Sequence, residues 1–184
     1  IIKKNNSIPS VFILGNHGLV ISDNDINKMT LTLKNIQNAL KIKPRKLIKP
    51  NLKKLNYVKN ETQFKLPKYD ISHAISTDKI GSTLLSRGSL IPDQVVFLGV
   101  GISNIELNQN FKNKLINNVN DTFISISDYG ILVRKNISLG SEEMLKCLGN
   151  IFLRIQKGSK INFLEESHEK ELINWEAEKY RANI

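Results

Sequence analysis

The chain carries one cysteine, Cys147, and no apolar run approaching the roughly 20 residues that a membrane-spanning helix requires. A single cysteine excludes an internal disulfide and fits a reducing cytoplasm, so the expected location is cytoplasmic and away from membranes. The opening Ile1-Ile2-Lys3-Lys4-Asn5-Asn6 is too short and too polar for a signal peptide. An initiator Met is missing as well. We therefore read the chain as processed, or as the later part of something longer.

Acidic residues are missing from residues 41–59, which hold eight cations: Lys41, Lys43, Arg45, Lys46, Lys49, Lys53, Lys54 and Lys59. That stretch carries eight of the ten surplus charges in a chain of formal net charge +10. It contains Pro44 and Pro50 and shows neither a helical nor a strand period. The reading is an extended basic connector, surface-lying and mostly without regular structure. Nucleic-acid binding is not favoured, because Tyr57 stands alone where a base-stacking surface needs interleaved aromatics.

What is present can bury a core. A chain of 184 residues, 40% hydrophobic, makes one domain or two small ones. Residues 10–21 read as one buried strand interrupted by Asn16-His17-Gly18. Asp23, Asn24 and Asp25 offer helix caps, and Ile26, Met29, Leu33, Ile36 and Leu40 then step at the helical period. A histidine gripped between apolar runs is costly unless its ring nitrogens find partners. A metal ion is one such partner, and a neighbouring carbonyl is another. Gly18 would let backbone or a ligand approach closely.

Further along, Asp70 or Thr77 can cap short helices carrying Ile71, Ile75, Ile80 and Leu84, with His73 structural or at the surface. Residues 94–99 read as a second buried strand. Gly99-Val100-Gly101 is no dinucleotide fingerprint, since the third glycine and an immediate helix are missing. Phe111, Leu115 and Val119 share one face of a short helix. Residues 123–133 then repeat the opening plan about 112 residues later, with Tyr129 standing where His17 stood. Ser138 and Ser141 offer caps to a helix with apolar face Met144, Leu145, Leu148, Ile151, Phe152 and Ile155, ended by Lys157-Gly158. A Glu-rich helix over residues 165–181 carries Trp175 and Tyr180, which suggests docking on the second half of the chain or a neighbour. His168 on that helix reads as part of a solvated face.

Three motifs carry a resemblance. Asn16-His17-Gly18-Leu19-Val20 followed by a capped helix resembles the class II aldolase/adducin superfamily. Residues 91–99, Ile-Pro-Asp-Gln-Val-Val-Phe-Leu-Gly, resemble the "PDHVVFLG" element of the longer bacterial members, with Gln94 where relatives often have His. Residues 175–181, Trp-Glu-Ala-Glu-Lys-Tyr-Arg, resemble their terminal "WdaEKYR" signature. The resemblance implies an α/β fold: a class II aldolase-like mixed sheet flanked by helices, with an incomplete first lobe followed by a smaller α/β region. The expected divisions are residues 1–41 as the end of the aldolase-like lobe, 42–67 as the basic connector, and 68–184 as the second α/β region.

The same resemblance implies a metal-dependent lyase acting on a sugar phosphate or related hydroxy-carbonyl compound. His17 would be one ligand of zinc or another divalent ion. The family's His-x-His pair and acidic catalytic residue have no counterpart here, so no catalytic residue is assigned and no organic cofactor is implied. A catalytic zinc takes about three protein ligands. The ion is therefore expected not to be fully held by this chain alone, and the implied partner is an upstream aldolase half or a homo-oligomer. The alternative is a catalytically inactive, adducin-like assembly module.

Overall fold

The computed structural model describes residues 8–101, 103–108, 111 and 121–176, and the chain divides into two compact units, Ile1–Lys43 and Pro44–Ile184. Each has its own logic.

The first unit is a hairpin and a helix. Strands β1 (Val11–Leu14) and β2 (Gly18–Ile21) pair antiparallel, Val11 opposite Ile21 and Leu14 opposite Gly18. The expected single strand over 10–21 is therefore two strands and a turn. Asn16 sits in the left-handed region at φ 57°, and Gly18 at φ 144°. Asparagine tolerates the first conformation and glycine the second, so the polar triplet reverses the chain. Helix α1 (Ile26–Ala39) is capped by Asp25, whose Oδ1 accepts the Asn27 amide at 2.8 Å. Burial departs from expectation, because no residue of α1 is buried and Ile13 is 76% exposed. Met29 and Ile36 are half-buried, whereas Ile26, Leu33 and Leu40 lie exposed. Two short strands and one helix have too little surface to enclose a core of their own.

The second unit encloses two cores, one on each face of a mixed sheet. It opens with helix α2 (Leu52–Asn60), whose Asn51 cap accepts the Lys54 amide, and strand β3 (Phe64–Lys65). A 3₁₀ turn (Asp70–His73), α3 (Ala74–Thr77), α4 (Lys79–Leu85) and α5 (Pro92–Leu98) follow. Then come β4 (Ser103–Ile105), β5 (Phe123–Ile126), β6 (Gly130–Arg134), α6 (Leu139–Phe152) and α7 (Glu166–Asn174). The strand order is β3-β6-β5-β4, with β4 parallel to β5 and the other pairs antiparallel. Alternation along β5 and β6 sends Phe123, Ile131 and Val133 into one cluster with Leu145, Leu148 and Phe152. It sends Ile124, Ile126 and Leu132 into the other with Leu55, Val58 and Phe64.

Further expectations are corrected. Residues 94–99 belong to a helix: Pro92 favours the first helical turn and cannot donate to a strand ladder, and Val95 and Leu98, three apart, are buried. A short apolar run alone does not distinguish strand from buried helix. The basic stretch is regular in its second half, where Leu55 and Val58 of α2 are fully buried. Arg45 is no free surface charge: its guanidinium grips Asp78 at 2.8 and 3.1 Å and donates to the Phe152 carbonyl at 2.7 Å. Asp78, next to the expected Thr77, also caps α4 through the Ile80 and Gly81 amides. Helix α6 is capped by Ser138 as expected but ends at Phe152, ahead of Lys157-Gly158. Trp175 is 59% exposed just beyond α7. Leu115, Val119 and Tyr180, named from the sequence, lie outside the described residues.

The repeat seen in the sequence is a repeat of structure. Gly18 and Gly130 are 112 positions apart, and Asp128 at φ 64° matches Asn16. The His17 amide returns to the Leu14 carbonyl at 3.2 Å, as the Tyr129 amide returns to Ile126 at 2.9 Å. Each hairpin leads to a 14-residue helix and later to a nine-residue one.

Candidate functional site

The turn of the β1–β2 hairpin carries His17 outward. Its backbone is fixed by the hydrogen bond to Leu14 and by the positive-φ residues on either side. Its ring is exposed and makes no hydrogen bond among the described residues. The sequence led us to expect the ring at the sheet end or the edge of a cleft, one nitrogen bonded within the protein and the other facing open space. The structure places it at the hairpin tip and corrects the first nitrogen, which has no such bond among the described residues. A histidine at a hairpin tip needs no internal partner, because water satisfies it.

This position suits a group offered to something else, but it does not make a metal centre. Among the described residues, no three of His, Cys, Asp or Glu lie together so as to hold an ion. Asp23 accepts the Asp25 amide and Asp25 caps α1 beyond the far end of β2 from the turn, and neither joins His17 in such a group. One imidazole falls short of the roughly three protein ligands of a catalytic zinc. The chain on its own therefore does not fit the ion, and no catalytic step is derived through one.

The equivalent turn of the second unit shows what replaces a free histidine. Tyr129 occupies the His17 position, and its carbonyl accepts the Asn51 amide at 2.9 Å. Beside this turn lies His73, 2% exposed, whose Nδ1 accepts the Ile131 amide at 3.1 Å. Gly130 leaves room for that ring, since a Cβ there would stand 2.7 Å from Nδ1. Burial lowers the His73 pKa, against a smaller upward pull from Asp70. His73 is thus a neutral structural acceptor, one of the two readings its sequence allowed. His168 is exposed on α7, as expected.

Two polar groupings were not visible in the sequence. Asn104 on β4 accepts the hydroxyls of Ser125 and Ser127 at 3.1 and 3.0 Å, tying the parallel strand to its neighbour. On the surface, the Tyr69 hydroxyl donates to Glu143, and the Lys68 and Lys146 ammonium groups lie 5.0 and 4.4 Å from its ring centroid. The Tyr69 hydrogen bond, with help from Lys146, lowers the Glu143 pKa. The grouping holds a cation–π and ion-pair contact but no nucleophile paired with a base. Both groupings join residues far apart in the chain, and only their side-chain chemistry could have hinted at them.

No family model, no curated protein and no solved structure matches this chain. Among the described residues no helix is long and apolar enough to cross a membrane.

Proposed function

We propose that this chain donates His17 to a divalent-metal site of a class II aldolase-like lyase, the remaining ligands coming from polypeptide outside residues 1–184. The substrate class is a sugar phosphate or a related hydroxy-carbonyl compound. The observation that carries the reading is the exposed imidazole at a tight hairpin turn, its ring without a hydrogen bond among the described residues and so open to an incoming ion. The Asn-His-Gly motif and the two downstream motifs supply the family; no geometry of this chain supplies the chemistry.

The test is a zinc titration of the whole chain, alone and together with a polypeptide carrying a His-x-His pair. The expected result is weak uptake alone and tighter uptake in the mixture, a gain that His17→Ala removes. Uptake indifferent to His17→Ala would overturn the reading. A second reading, an assembly module without catalysis, is favoured by the exposed apolar side chains of the first unit, among them Ile13, Ile26 and Leu40. Complex formation with that polypeptide without any gain in zinc uptake would support the second reading over the first.

A further inference from the structure

The two hairpins are alike in turn and register, yet their outer edges differ. Strands β1 and β2 form a sheet of two, whereas β5 carries β4 on the edge away from β6. In that parallel pair Ser103 lies opposite Ile124, Asn104 opposite Ser125 and Ile105 opposite Ile126. The 112-residue offset makes Phe12, Ile13 and Leu14 the counterparts of those three β5 residues. The sequence Val-Phe-Ile-Leu of β1, four residues long, contains neither a charge nor a proline, two of the devices that keep an edge unpaired. A 43-residue unit without a disulfide is also near the size, about 40 residues, below which domains need outside support.

The geometry points to a parallel strand added to the edge of β1, as β4 is added to β5, by a polypeptide segment beyond residues 1–184. The second unit also specifies its chemistry. Asn104 is held there by Ser125 and Ser127, whose counterparts are Ile13 and Gly15. Neither has a side-chain donor, so an asparagine at the middle position would lose both bonds. The incoming strand carries an apolar residue there, covering an Ile13 that is 76% exposed. A parallel pairing needs a connection of a dozen or more residues, more than the ten that precede Val11 in this sequence. A two-fold pairing of β1 with β1 of a second copy would be antiparallel, which the second unit does not display. The inference invokes no ligand of His17 and stands apart from the metal reading.

The test extends the full chain at its N-terminus with a probe strand. The probe is residues 99–105 carrying Asn104→Val, joined by a flexible Gly/Ser linker as long as residues 106–122, which connect β4 to β5. Tethering brings such a strand to about millimolar effective concentration. Without metal, exchange of the β1 amides not paired to β2 is expected to slow by about tenfold relative to the fusion that retains Asn104. Ile13→Lys, at an exposed position, is expected to erase that slowing. Unchanged exchange would overturn the inference, as would slowing that survives Ile13→Lys. So would β1 protection in the unextended chain accompanied by a dimer on sedimentation, which assigns the edge to a second copy. Because zinc plays no part, failure here leaves the His17 titration unaffected.

Discussion

His73 stabilises the second unit only while it is neutral. Its Nδ1 accepts the Ile131 amide, and burial holds its folded pKa below the ordinary value of 6.5. Well above that value the ring is neutral in both folded and unfolded chains, and this contribution is fully present. As pH falls below it, the unfolded chain takes up the proton first, so stability declines until the folded pKa is reached. Urea midpoints measured from pH 7.5 down to 5 should therefore fall, and the part due to His73 should vanish in His73→Leu. That variant should also be less stable at pH 7.5 by about 1–3 kcal/mol, because the Ile131 amide is left buried and unpaired. Equal pH slopes in the two proteins would show that another group drives the acid effect.

Helix α6 makes the strongest demand at the level of elements. Gly149 faces the 3₁₀ turn so closely that an added Cβ would overlap the Ile71 carbonyl oxygen. In an isolated helix Gly→Ala is stabilising by about 1 kcal/mol, whereas a methyl forced into a packed contact costs about 1–3 kcal/mol or more. Gly149→Ala is expected to lower the urea midpoint, so the sign alone decides. A raised midpoint would mean that the turn yields without cost. The α6 helix was readable beforehand, with a Ser cap and an apolar face at the right period, and so was the β5–β6 hairpin, with a polar turn between two apolar runs. Helix α5 was not, because Gln-Val-Val-Phe-Leu is apolar at both periods and only Pro92 argued for a helix. Helix α2 was hidden by its lysines, although Leu52, Leu55 and Val58 step by three. His17 was legible as a motif. Its exposure was not, since burial depends on how much chain packs over the hairpin.

At the scale of the molecule, one supersecondary plan exists in two conditions. In the second unit every residue of β5 is buried, β6 is buried except at Arg134, and seven residues of α6 are buried. In the first unit β1 and β2 hold no fully buried residue, and α1 holds none. The backbone hydrogen bonds of the two hairpins are alike, so the difference lies in what covers them. Amides exchange through the least costly opening available, and that cost follows the buried apolar area disrupted. The β5–β6 amides should open only with the two cores around them, while the β1–β2 amides open locally. Hydrogen exchange on the intact chain at neutral pH is expected to run faster in β1–β2 than in β5–β6, by on the order of a hundredfold or more. Equal rates would mean that the first hairpin is already covered in the free chain. That result would remove the vacant β1 edge and also the open setting of His17, on which both the strand addition and the donated ligand depend.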